Sequence, residues 1–124
     1  MAEPRISAIV SVDPGFGYAM TDTSLSAVTA RTLLVNLGDA ETQWAATDAG
    51  EAGADLEGRI PGAKLVRLAP AWHFSFLGEC TPAGAEILIE EKDDPVCDEP
   101  KGGDRAALHR KAIAEIAGFL GLDA

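Results

Sequence analysis

The sequence predicts an α/β fold in three layers, a short parallel sheet of about three strands with helices on its flanks. Three observations carry that expectation. Short apolar runs at residues 6–12, 32–37 and 64–68 are separated by stretches long enough to cross over and return, and such crossovers join parallel strands. The first two runs are apolar along nearly their whole length rather than alternating, as strands covered on both faces are. A helical period then closes the chain after Asp104.

In order, Ile6, Ile9, Val10 and Val12 are β-branched and their neighbours small, so residues 6–12 read as a strand with neighbours on both sides. Asp13-Pro14-Gly15 ends it in a turn. Residues 21–30 predict a helix capped by Thr21, Asp22 or Thr23, with Leu25 and Val28 on its apolar side. The second strand, Thr32 to Leu37, stops at Gly38-Asp39. Residues 42–58 are rich in Ala, Asp and Gly, with Trp44 their only large side chain, and predict a loop with a weak helix. Arg59-Ile60-Pro61-Gly62 turns the chain into the third strand, which Pro70 stops because it has no N–H to donate. Residues 82–91 predict a helix capped by Thr81, and residues 93–103 an acidic loop. Asp104 caps the last helix, with Leu108, Ile113, Ile116, Ala117 and Leu120 near a 3.6-residue period.

The 124 residues allow one domain, 1–124, with enough apolar content (47%) to bury a core. A net charge of −10 repels phosphate backbones, so nucleic acid is not an expected partner. No apolar run approaches the roughly 18 residues of a membrane span, so no membrane association is expected either. Met1 to Arg5 is too short and polar for a signal peptide, which as written assigns the chain to the cytoplasm. Cys80 and Cys97 have no metal-binding spacing, so neither a metal nor a cofactor is expected. A disulfide between them would close a loop worth roughly 3 kcal/mol of chain entropy, would not form in a reducing cytosol, and would mark the parent protein as exported.

Two strand ends carry polar groups suited to catalysis. Gly38-Asp39-Ala40-Glu41 follows the second strand, and His73, between Trp72 and Phe74, follows the third. Ligand and catalytic sites of parallel sheets form at strand C-termini. A carboxylate there accepts one ring N–H of a histidine, fixes its tautomer and favours the imidazolium that develops in acyl transfer. The plainer reading of each group is a solvated side chain at a strand end. His109, beside Arg110 and Lys111, reads as surface.

Here the chain resembles the C-terminal half of an α/β-hydrolase, of the bacterial predicted dienelactone hydrolase type. The resemblance is carried by residues 6–14 with their Asp13-Pro14, by residues 32–39, and by Arg59-Ile60-Pro61-Gly62-Ala63-Lys64. His73-Phe74-Ser75-Phe76-Leu77-Gly78-Glu79-Cys80-Thr81-Pro82 and Asp104-Arg105-Ala106-Ala107-Leu108-His109 are its most specific pieces. It implies His73 as the catalytic histidine and Glu41 as the acid, with Asp39 the competing candidate.

The sequence departs from that family where the nucleophile should be. Its serines, Ser7, Ser11, Ser24, Ser26 and Ser75, lie in no Gly-x-Ser-x-Gly elbow, and the oxyanion-hole loop is missing too. Trp72 stands where a small residue is expected, narrowing access to His73. The resulting expectation is a module with the acid and histidine of an ester- or lactone-cleaving site, inactive alone. Its partner would be a chain supplying the nucleophile half, and a small ester or lactone would bind only to the completed site. The alternative is a non-catalytic α/β protein that self-associates as a homodimer, or binds a partner, through the sheet edge at residues 6–12.

Overall fold

The sheet is built on its middle strand. β2 (Arg31–Leu37) lies between β1 (Ala8–Val12) and β3 (Lys64–Leu68), parallel to both. The computed structural model describes residues 3–122. Met1 and Ala2, part of the start read as too short for a signal peptide, lie outside them.

Alternation along β2 divides the core in two, because successive side chains of a strand point to opposite faces. Leu33, Val35 and Leu37, with Val10, Val12, Val66 and Leu68 beside them, pack against Leu108, Ala112, Ile116 and Phe119 of α4 (Arg105–Leu120). Leu34 and Leu65 face the other way, onto Leu25 of α1 (Asp22–Ser26), Leu56 of α2 (Leu56–Arg59), and Ala49, Ala54 and Ile60. The result is the expected three-layer α/β arrangement, with every β2 residue after Arg31 buried.

β1 starts at Ala8 rather than Ile6, and its outer side is the open edge expected of the chain without a nucleophile half. Within the described residues it has β2 on one side and no strand on the other, so Ile9 is 37% exposed, and Ile6, ahead of the strand, is 52% exposed. A continuous apolar run fits an open edge as well as an interior strand, and here it is the edge. The opposite edge differs, since β3 exposes Lys64 and Arg67.

The crossovers are shorter in helix than expected. Of residues 21–30 only Asp22–Ser26 are helical, capped by the Thr21 side chain, which accepts from Ser24 N. Hydroxyl side chains compete for the backbone, and the β-branched Val28 and Thr29 resist extension. Residues 42–58 hold a 3-10 turn, Ala45–Thr47, and the single-turn α2. Arg59 ties the two crossovers together, with Nε on Asp22 and Nη1 on the carbonyls of Gly17 and Ala54.

α3 (Pro82–Glu91) is capped by Thr81 as expected, with Pro82 at its first position, yet none of its residues is buried. A covalent tether stands where a packed face would be: Cys80 and Cys97 form a disulfide, their Cα atoms 5.7 Å apart. In α4, capped by Asp104, the stripe is Leu108, Ala112 and Ile116, whereas Ile113, expected on it, is 66% exposed. No described helix is long and apolar enough to cross a membrane.

Candidate active site

Parallel strands bring all three C-termini to one edge of the sheet, and His73 meets a carboxylate there. The chain leaves β3 through the cis Ala69–Pro70 peptide and enters a 3-10 turn, His73–Phe76. Nδ1 of His73 lies 2.9 Å from Oδ2 of Asp13, the first residue after β1. A carboxylate accepts, so this contact puts the ring proton on Nδ1 and leaves the Nε2 lone pair free. Among the described residues no protein atom hydrogen-bonds Nε2, and the ring is one-third exposed.

Asp13 is held more firmly than a solvated strand-end carboxylate. Its side chain is 2% exposed, and Oδ1 accepts from the backbone N–H of Leu37 at 2.7 Å and from Gln43 Nε2 at 3.4 Å. Its own N–H continues the sheet ladder to Val35 O. The backbone there is left-handed, φ 44°, a region Asp tolerates better than most residues and one that costs on the order of 1–3 kcal/mol. That turn of the backbone sends the carboxylate inward to the end of β2.

Neither carboxylate expected as the acid reaches His73. Asp39 is exposed, and its Oδ1 closes a local turn by accepting from the N–H of Glu41, the hydroxyl of Thr42 and the N–H of Thr42. Those three donors hold its carboxyl below the ordinary range, the Glu41 N–H contributing most. Glu41 is exposed, and among the described residues neither group hydrogen-bonds His73. Asp13 takes the place beside the ring.

Aromatic groups frame the histidine, though not through the residue expected. Trp44 stacks on the imidazole with ring centroids 4.8 Å apart and planes 22° apart, and Phe74 meets both rings edge-on. Trp72 instead turns its indole N–H to the carbonyl of Asp98. The loop carrying Trp44 is pinned by a buried polar strap, in which Asp48 Oδ1 accepts from Asn36 of β2, Arg67 of β3 and Gly50 N. Burial pushes the Asp48 carboxyl up, but these donors outweigh it and leave the group below its usual range.

A second buried network holds the other end of the 3-10 turn. Ser75, fully buried, accepts from Trp72 N and donates to Glu99 Oε2 at 2.6 Å. Glu99 Oε1 accepts from Arg105 Nε at 2.6 Å, and Arg105 also donates to the carbonyls of Gly78, Val96 and Asp98. His109 is part of this support rather than plain surface, with Nε2 donating to Ser75 O at 3.1 Å.

Asp13 and Trp44 carry the signals that sequence reasoning passed over: a carboxylate after the first strand, and the one large side chain in a small-residue loop. Among the described residues no three His, Cys, Asp or Glu side chains gather in a way that would hold a metal ion. Comparison with models of known protein families, with curated proteins and with solved structures finds no match. The likeness to dienelactone hydrolases therefore rests on the residue strings alone, and the Asp13–His73 pair on its geometry.

Proposed function

We propose that this chain carries the base and the acid of an ester- or lactone-cleaving acyl-transfer site, with His73 as the base and Asp13 as the acid. The nucleophilic serine and the oxyanion-hole donors come from polypeptide outside it. The observation that supports this reading is the 2.9 Å contact between a buried carboxylate and the Nδ1 of a histidine whose Nε2 has no protein partner among the described residues. In the completed site Nε2 removes the proton of a serine hydroxyl as it attacks the acyl carbon. Asp13 stabilises the imidazolium that results, the ring returns the proton to the leaving alkoxide, and water repeats the cycle on the acyl-enzyme. We assign the protein to an oxidising compartment, since disulfides such as Cys80–Cys97 persist there and are rare in the cytosol.

The test is complementation. The chain alone is expected to hydrolyse a p-nitrophenyl ester no faster than buffer. Joined to a segment bearing a Gly-x-Ser-x-Gly elbow, encoded upstream or nearby, it is expected to gain activity. His73→Ala should then remove about three orders of magnitude or more and Asp13→Asn a comparable amount, with Glu41→Ala and Asp39→Ala within a few-fold. Activity indifferent to His73, or lost with Glu41 and kept without Asp13, would overturn the assignment.

A second reading, a non-catalytic protein that self-associates, is favoured by β1. Its outer edge offers unpaired backbone groups, and Ile6 and Ile9 sit beside a groove of about 310 Å³ lined also by Ala27, Val28 and Ala30. A two-fold axis through that edge would pair β1 with its copy, antiparallel and self-complementary. Light scattering coupled to size exclusion distinguishes the two. A species of twice 12.9 kDa that Ile9→Lys converts to monomer supports self-association, and a wild-type monomer rejects it.

A further inference from the structure

We propose that the Cys80–Cys97 disulfide is a redox-responsive clamp on the turn that carries His73, and that Glu99 transmits its state. The inference rests on reading His73 as the base and names a means of regulating it.

The connection is short. Cys97 stands two residues before Glu99, whose two oxygens hold Ser75 and Arg105. Ser75 is the hub of the 3-10 turn: its hydroxyl accepts from Trp72 N, its own N–H donates to Trp72 O, and its carbonyl accepts from His109. Asp98, between Cys97 and Glu99, accepts the Trp72 indole N–H. The segment next to one half of the disulfide therefore grips the residue before His73 and the residue two after it. Arg105 draws Gly78, Val96 and Asp98 together, so it and the disulfide gather the same two stretches of chain.

Among the described residues, α3 adds no buried side chain to hold those stretches. It spans most of the loop that the disulfide closes, and Ile87 and Ile89 are exposed on it. The bond closes over a sequence separation of 17 residues, and opening it returns the conformational freedom of that loop. A dithiol supplies the two electrons and two protons. Attack by one of its thiolates on the disulfide gives a mixed disulfide, the second thiolate releases it, and the products are the Cys80 and Cys97 thiols and the oxidised dithiol. With the loop open, Glu99 is kept on Ser75 by their hydrogen bond and by its ion pair with Arg105, without the covalent tether; the turn gains mobility, and His73 loses its fixed approach to Asp13.

The experiment uses the intact chain in three states: oxidised, reduced by dithiothreitol and blocked with iodoacetamide, and as the Cys80→Ser/Cys97→Ser double variant. Amide hydrogen exchange is followed at Ser75 and Leu77, whose N–H groups close the turn, and at Leu34 and Val35 in β2. The His73 Nδ1 proton is followed by NMR, being visible while Asp13 holds it. Reduction is expected to speed exchange at Ser75 and Leu77 about ten-fold or more, to broaden or abolish the Nδ1 signal, and to leave β2 protected. Glu99→Ala in the oxidised chain should do the same, and Glu99→Gln, which keeps an acceptor for Ser75, should do less. Faster exchange over residues 80–97 with the turn and the Nδ1 signal unchanged would overturn the proposal. So would loss of protection in β2, which would make the disulfide a support of the whole fold. None of these readouts requires turnover, so they stand apart from whether the completed site cleaves an ester.

Discussion

Replacing Asp13 separates its hold on the sheet from its hold on His73, because its two oxygens do different work. Oδ1 satisfies the buried N–H of Leu37 and Oδ2 holds His73. In Asp13→Ala the Leu37 N–H is left without a partner at the buried end of β2, which costs about 1–3 kcal/mol. Alanine also takes the left-handed backbone less readily than aspartate, adding about 1 kcal/mol. Asp13→Asn keeps an oxygen for Leu37 and tolerates that backbone, so its loss is the charge assistance of the bonds, about 1 kcal/mol. His73→Ala removes a ring that is one-third exposed and lets water reach Oδ2, so it should cost less than about 1 kcal/mol. The order is therefore Ala at 13 well below Asn at 13, with Ala at 73 nearest the wild type. Urea unfolding followed by circular dichroism, with the slope checked for constancy, measures all three. Equal midpoints for Asp13→Ala and Asp13→Asn would refute the claim that the Leu37 bond holds the site in place.

The polar strap gives a pH signature. Because the Asp48 carboxyl is lower in the folded chain than in the unfolded, its contribution is complete above about pH 4, the unfolded value, and is lost as the pH falls through the folded one. Asp48→Asn should therefore flatten the acid limb of a stability–pH curve. In the core, Leu34→Ala, at 2% exposure, should cost about 2–5 kcal/mol, against under about 0.5 kcal/mol for Ile113→Ala, by chemical denaturation. Gly38 has φ 117°, and a Cβ there would lie 2.8 Å from Gln43 N, so Gly38→Ala should destabilise by more than about 1 kcal/mol. It should also shift the fluorescence of Trp44 as its stacking on His73 loosens.

The strands and the last helix were legible because their signals are periodic and long enough to sum. Leu33 to Leu37 read as a covered strand, and Asp104 with Leu108 and Ile116 reads as a capped helix against it. α1 was legible as a helix with Thr21 among its candidate caps, but its short length and the place of α2 were not, since both are set by Thr21, Asp55 and Arg59 bonding across the crossovers. His73 was singled out from its place after a strand, and the carboxylate it contacts, Asp13, was not. Asp13, Asp39 and Glu41 all follow strands that end at one edge of the sheet. What separates them is backbone conformation: at Asp13 the chain turns its carboxylate inward, and after Gly38 Asp39 spends Oδ1 on its own turn. Pattern does not encode that choice. Trp44 escaped for a related reason, because it reaches His73 only through a loop pinned by Asp48 to both Asn36 and Arg67.

Among the described residues the two edges of the sheet are unlike. A strand arriving at β3 meets Lys64 and Arg67, whose charges would have to leave water to let it pair. At β1 it meets Ile6, Ile9 and open backbone, with no charged side chain within the strand itself. A further strand would therefore be better received at the β1 side. Two copies meeting there would consume each other's β1 edge, and a foreign strand seated there would leave that edge closed to a copy. Chains joined this way end as closed pairs of fixed stoichiometry, and growth of a continuous ribbon stops at the first step.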